Sequence, residues 1–193
     1  MEPPTQRHDI GGVTLDDDEY TVKQSHFRNK YKVYDSAGDL VLESKQKLFK
    51  MKEEFPFFDA DGNTVFRVKA KNVLDVAGDY VLVDERTDEP VIVLSKNFSF
   101  FHHHWTIKRP DGTDVAEVES RSAILEALRS FSTLLSFIPH KYEIATSGGE
   151  PVGEIVGKFS LRDVYKVRIE ESNAVSKTAL VAAAIAIDAL EGN

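Results

Sequence analysis

Positive charge gathers in one short stretch of this acidic chain, and recognition of a phosphate-bearing ligand is the chemistry such a stretch supports. Arg28, Lys45, Lys47, Lys50 and Lys52 stand close together in a sequence whose formal net charge is −8. A four-residue loop, Asp35 to Gly38, would pair Tyr34 with Asp39, Val33 with Leu40 and Tyr31 with Leu42, a face suited to a core. On the opposite face Lys30 then meets Glu43, Arg28 meets Lys45, and His26 meets Lys47. Like charges directly opposed destabilise an antiparallel pair unless an anion neutralises them. A bulge near Leu48 and Phe49 would bring Lys50 and Lys52 to the same outer face. These cations form the candidate anion site; the plainer alternative is a set of long lysines solvated beside carboxylates.

Other chemistry-bearing residues carry less. His102 and His104 share one face of an extended segment, but two donors do not make a metal site, and a third would have to come from His26, His140 or a distant carboxylate. No metal and no cofactor are expected. Trp105 has the opposite parity and is predicted to anchor inward. The string Asp59-Ala-Asp-Gly-Asn63 fails as a calcium loop, because Gly62 falls too early and Ala70 stands where a bidentate glutamate is needed. It reads as a hairpin turn. The sequence holds no G-x-S-x-G elbow, phosphate-binding P-loop, G-x-G-x-x-G or H-E-x-x-H motif, so no catalytic residue is assigned and a non-enzymatic protein is expected. Asp188 opposes the dipole of a terminal helix and calls for a hydrogen-bonding or ionic partner.

The elements that must position these residues are short and repetitive. Asp35 to Gly38, Asp59 to Gly62, Asp88 to Pro90, Pro110 to Gly112 and Gly148-Gly149 each open an amphipathic strand that ends near a basic residue. The chain thus reads as successive hairpins, with enough strands to close a barrel and remove its edges. Residues Ser122 to Ile138 break the rhythm with helical periodicity, predicting an amphipathic helix that Pro139 ends. From Ala179 to Ile187 no residue is polar, so the closing helix, Lys177 to Leu190, is hydrophobic on every side and must be surrounded. It is too short for a bilayer, which takes about 20 apolar residues, so its container is protein.

Composition sets the class. With 193 residues and 41% hydrophobic content, one barrel domain over 19–193 is expected after a mobile segment, 1–18. The chain has no cysteine and begins with a polar, acidic stretch free of a signal-peptide pattern, which suits a cytoplasmic protein. Net negative charge disfavours nucleic acid, and any anionic partner must be met locally.

The hairpins, Trp105 within His102-His-His104-Trp-Thr-Ile-Lys108, the segment Asp163-Val-Tyr-Lys-Val167 and the run Ala179 to Leu190 resemble the LURP-one-related family over roughly residues 20–190. That family belongs to the tubby C-terminal-like group, which includes the phospholipid scramblases. The resemblance implies a closed antiparallel β-barrel of about twelve strands around a central hydrophobic C-terminal helix. It also implies possible roles in phosphoinositide or other phospholipid binding, or in scrambling. Arg168 to Ala174 lacks the acidic calcium segment expected of scramblases and there is no cysteine to palmitoylate, so calcium-driven scrambling is not expected. The resulting expectation is a barrel module that binds an anionic lipid headgroup or a phosphate-bearing small molecule. Such a module has no membrane span, and peripheral membrane contact is compatible with it. The runner-up is a structural or protein-interaction role for the barrel exterior.

Overall fold

The computed structural model describes residues 9–25, 30–45, 54–70, 79–98, 103–120, 141–158, 164–170 and 176–191. The expected helix at 122–138 lies outside them, as do His26, Arg28, Lys47, Lys50, Lys52 and His102. Twelve antiparallel strands close into one barrel: β1 (Glu19–Ser25), β2 (Lys30–Tyr34), β3 (Leu40–Lys45), β4 (Phe55–Phe58), β5 (Thr64–Ala70), β6 (Asp79–Asp84), β7 (Pro90–Phe98), β8 (His103–Lys108), β9 (Asp114–Ser120), β10 (Lys141–Thr146), β11 (Pro151–Lys158) and β12 (Val164–Ile169). Each pairs with its chain neighbours, and β1 pairs with β12 to close the ring. Helix α1 follows (Lys177–Glu191).

One turn design makes the hairpins. In four of them a residue donates its N–H to the carbonyl four residues on, while the intervening glycine donates back, as at Asp35 N to Asp39 O (3.0 Å) and Gly38 N to Asp35 O (3.2 Å). The glycines Gly38, Gly62, Gly112 and Gly149 have φ between 83° and 92°, a left-handed backbone that costs glycine little. In the fifth hairpin Asp88 takes the left-handed position with φ of 56°, and its N–H returns to the Asp84 carbonyl. Each turn adjoins a register shift, the mark of a bulge, which raises local twist and helps a sheet to curl.

That turn and its bulge each shift the register by one residue and so correct the expected first hairpin. Val33 stands opposite Leu42, and Tyr31 opposite Ser44, a shift of two residues from the simple four-residue loop. Lys32 rather than Lys30 meets Glu43, and Lys45 meets Lys30 rather than Arg28. Of the expected inward set, Tyr31, Val33 and Leu42 stay on their face because a two-residue slip preserves parity. Leu40 falls opposite Tyr34 at the bulge and is only half-buried, and Ser44 takes the inward place opposite Tyr31. Tyr31, Val33, Leu42 and Ser44 are all buried.

Strand alternation then builds one core. Trp105 points inward as expected and is 1% exposed, flanked by Ile107 and facing Val118. Every residue of α1 from Ala179 to Ile187 is at most 2% exposed, so the helix is buried on all its faces. It touches β12 and β7, which stand on nearly opposite sides of the ring. Ser176 caps its start, accepting from Ala179 N at 3.2 Å. The side chain of Asp188 lies outside the described residues.

The N-terminal segment joins this core earlier than the expected boundary at residue 19. Ile10 and Leu15 are buried among the strand and helix residues. Leu15 N donates to Thr178 Oγ1 (3.0 Å), Ile169 N donates to Asp18 O (3.0 Å), and Lys177 reaches Asp16 O (3.0 Å) and the Asp18 carboxylate. The segment from Asp9 onward is therefore a packed strap that ties α1 to the barrel, a correction to the mobile 1–18 reading. Asp84 anchors its other end, accepting from Gly11 N (2.6 Å), Arg86 N (2.7 Å) and Thr87 N (3.1 Å).

Candidate functional site

Alternation in β1, β2 and β3 sends Tyr20, Val22, Tyr31, Val33, Leu42 and Ser44 inward, so the residues between them must face out. Closure of the ring sets β1 beside β2, and there Lys23 stands opposite Lys32. One step along, Lys30 lies between Ser25 and Lys45. The register thus sets two pairs of lysine positions in neighbouring rows, with Glu43 opposite Lys32 as the carboxylate position beside them. Among the described residues, no ion pair joins a carboxylate to Lys23, Lys30 or Lys32.

Lys23 relieves its opposition to Lys32 by leaning sideways. Its ammonium sits 4.4 Å from the centre of the Tyr34 ring, a cation–π contact at an exposed position. Beneath it runs a shallow groove of about 340 Å³, lined by Glu19, Thr21, Lys23, Tyr34, the turn at 35–38 and Lys166. Glu19 is already engaged. It accepts from Lys166 and from Arg168 Nε (2.7 Å), and those hydrogen bonds hold its carboxyl below its ordinary pKa. Arg168 also reaches Glu154 at 2.8 Å. Ser36 gives both its N–H (2.8 Å) and its hydroxyl (2.7 Å) to Asp17, which ties the turn to the N-terminal strap. The groove therefore offers an ammonium group and a tyrosine on its open side, and its serine hydroxyl is directed at a carboxylate.

Of the five cations read from sequence, the structure places the backbone of Lys45 on this face, opposite Lys30; Arg28, Lys47, Lys50 and Lys52 lie outside the described residues. The set gains Lys23 and Lys32, which local reading missed, and Lys30, which it had paired with Glu43. The opposition of Lys23 to Lys32 requires knowing that β1 pairs with β2, and the alternation of Tyr20, Val22, Tyr31 and Val33 was the available signal. On the far side of the ring His104 faces outward, as its parity with Trp105 predicts.

The likeness to known proteins agrees with this architecture. No curated protein matches the chain. The X-ray structure of a protein from Arabidopsis thaliana superposes with a TM-score of 0.54 at 8% identity, covering 90% of this chain and 91% of that one, a likeness of fold alone. Residues 40–188 match the LURP-one-related sequence model, from β3 into α1, leaving β1 and β2 with their lysines before the matched span. A match over that much of the chain, on a twelve-stranded closed barrel with a C-terminal helix, shows that this protein belongs to the LURP-one-related family.

Proposed function

We propose that this barrel is a non-enzymatic, cytoplasmic binding module that takes a phosphate-bearing ligand, such as an anionic lipid headgroup, on the outer face of β1, β2 and β3. The observation that carries this reading is the double opposition of Lys23 to Lys32 and Lys30 to Lys45 in an otherwise acidic chain. Like charges at opposed strand positions cost stability, and an anion bound among them reverses the sign of that interaction. The adjoining groove is shallow, as suits a headgroup held at a surface. Peripheral contact fits a chain in which no described helix is long and apolar enough to cross a membrane. Absence of cysteine supports a reducing compartment.

The test is cosedimentation of purified protein with phosphatidylcholine vesicles, plain or containing phosphatidylserine or a phosphorylated phosphatidylinositol, beside titration with a soluble inositol phosphate. Binding should need the anionic component and weaken steeply with salt, since exposed charges are screened over about 8 Å at physiological ionic strength. The variant Lys23→Gln/Lys30→Gln/Lys32→Gln/Lys45→Gln should lose binding yet melt no lower than the parent. A second variant, Arg28→Gln/Lys47→Gln/Lys50→Gln/Lys52→Gln, asks whether the neighbouring cations share the site. Unchanged binding by the first variant sinks this assignment, and a blank with every anion moves the protein to the interaction role.

A further inference from the structure

We propose that His104, Glu117 and Glu119 form a site for a divalent transition-metal ion of the zinc class on the outer wall of the barrel, apart from the lysine face. The strand register assembles it. His104 on β8 stands directly opposite Glu119 on β9, and Glu117, two residues back, shares the outer face because strand side chains alternate. The side chains beneath are fixed, since Trp105 and Val118 form the adjacent inward pair and are buried. Both strands lie within the closed sheet, so only the outer rotamers need adjust.

The geometry is that of donors converging on a point. His104 Nε2 is 3.6 Å from Glu117 Oε2 and 3.8 Å from Glu119 Oε1. The three donor atoms all lie within 4.8 Å of one another. Bonds of about 2.0–2.2 Å to zinc put neighbouring tetrahedral ligands roughly 3.3–3.6 Å apart, so small carboxylate rotations close the set. Nε2 is itself buried and has no hydrogen-bond partner. A buried nitrogen facing two carboxylates is satisfied by a proton or by a cation held among the three donors, and the separations exceed those of a charge-assisted hydrogen bond, about 2.7–2.9 Å.

The surroundings favour a cation. Glu119 stands opposite Glu143 across β9 and β10, like charges that a cation at the His104 end would offset, while Glu154 beyond them is answered by Arg168. One imidazole with two carboxylates selects for zinc, cobalt or nickel over calcium and magnesium, which prefer oxygen alone.

The experiment titrates the full-length protein with Zn²⁺ by calorimetry and by competition with a chromophoric chelator, with Co²⁺ as a spectroscopic probe and Ca²⁺ and Mg²⁺ as controls. The parent should bind Zn²⁺ at this site and gain thermal stability from it. His104→Gln and Glu117→Gln/Glu119→Gln should each lose more affinity than the ~10–100-fold that follows loss of an outer-shell partner. His102→Gln should keep it. Thermal melts without metal check that the variants fold. Histidine NMR of the parent provides a readout independent of any variant, in which Zn²⁺ should displace the His104 imidazole resonances. Failure of Zn²⁺ to bind, binding that survives both variants, or equal binding of Ca²⁺ would overturn the site and leave a surface ion pair.

Discussion

Placing a carboxylate in the middle of α1 tests the burial of that helix most directly. Ala183 is fully buried between Ala182 and Ala184, which are equally buried, so Ala183→Asp has no route to water. Burial raises a carboxyl pKa by as much as about 3–5 units, and each unit is worth about 1.36 kcal/mol. The charge penalty at neutral pH is therefore about 4–7 kcal/mol, with overpacking adding about 1–3 kcal/mol. Against a total stability of about 5–15 kcal/mol this removes a large share or all of the stability at neutral pH. The folded-state pKa is raised, so the penalty is full above it and fades as pH falls toward the unfolded value near 3.9. The gap between variant and parent should then narrow on acidification, leaving the overpacking share. Ala183→Leu, which overpacks without charge, should show a smaller gap with no such pH dependence. Urea unfolding followed by the fluorescence of Trp105, the single tryptophan, reads all three proteins from within the core. An Ala183→Asp midpoint equal to the parent's, or a gap independent of pH, would refute the buried-helix reasoning.

Asp84 should make stability acid-sensitive: burial raises its pKa, but N–H donors from Gly11, Thr87 and Arg86 outweigh this and lower it. Its contribution is then present above the unfolded pKa of about 3.9 and lost as pH falls through the lower folded value. Asp84→Asn should cost about 1–3 kcal/mol at neutral pH and flatten the acid limb of the stability curve, as chemical unfolding across pH will show. Thr178→Val should strand the Leu15 N–H, cost about 1–3 kcal/mol and speed exchange of that amide, while Thr178→Ser keeps the bond. Gly38→Ala and Gly11→Ala should separate backbone strain from collision. At Gly38 a Cβ meets nothing within 4 Å, so only the left-handed backbone is strained, at about 1–2 kcal/mol. At Gly11 it would lie 2.0 Å from the Val65 carbonyl oxygen, and paired thermal melts should rank Gly11→Ala as the more damaging.

Much of the fold was readable because its signals are local. The glycine turns, the alternation of Tyr31 with Val33, the inward parity of Trp105 and the unbroken apolar run of α1 each depend on residues adjacent in the chain. The packed strap escaped notice for the opposite reason. Ile10 and Leu15 are two apolar residues in a polar stretch, and their value depends on a core assembled from distant strands and on Thr178, which accepts from Leu15 N. The lysine face was half visible: charge opposition on the first hairpin was expected, but between Arg28 and Lys45 instead of Lys30 and Lys45.

What the sequence by itself determined is which residues of the strands and of α1 face the core, since strand period and turn chemistry are properties of consecutive residues. Which outward residues meet was decided by the tertiary structure. A turn and a bulge that together slip a hairpin by two residues leave the parity of the strands unchanged beyond the bulge while changing every cross-strand partner, so no hydrophobic pattern can report it. Ring closure acts in the same way. It set Lys23 against Lys32 and the strand pairing set His104 against Glu119, contacts of a sheet whose neighbours are chosen by pairing and whose exposed faces carry no packing constraint to record the choice.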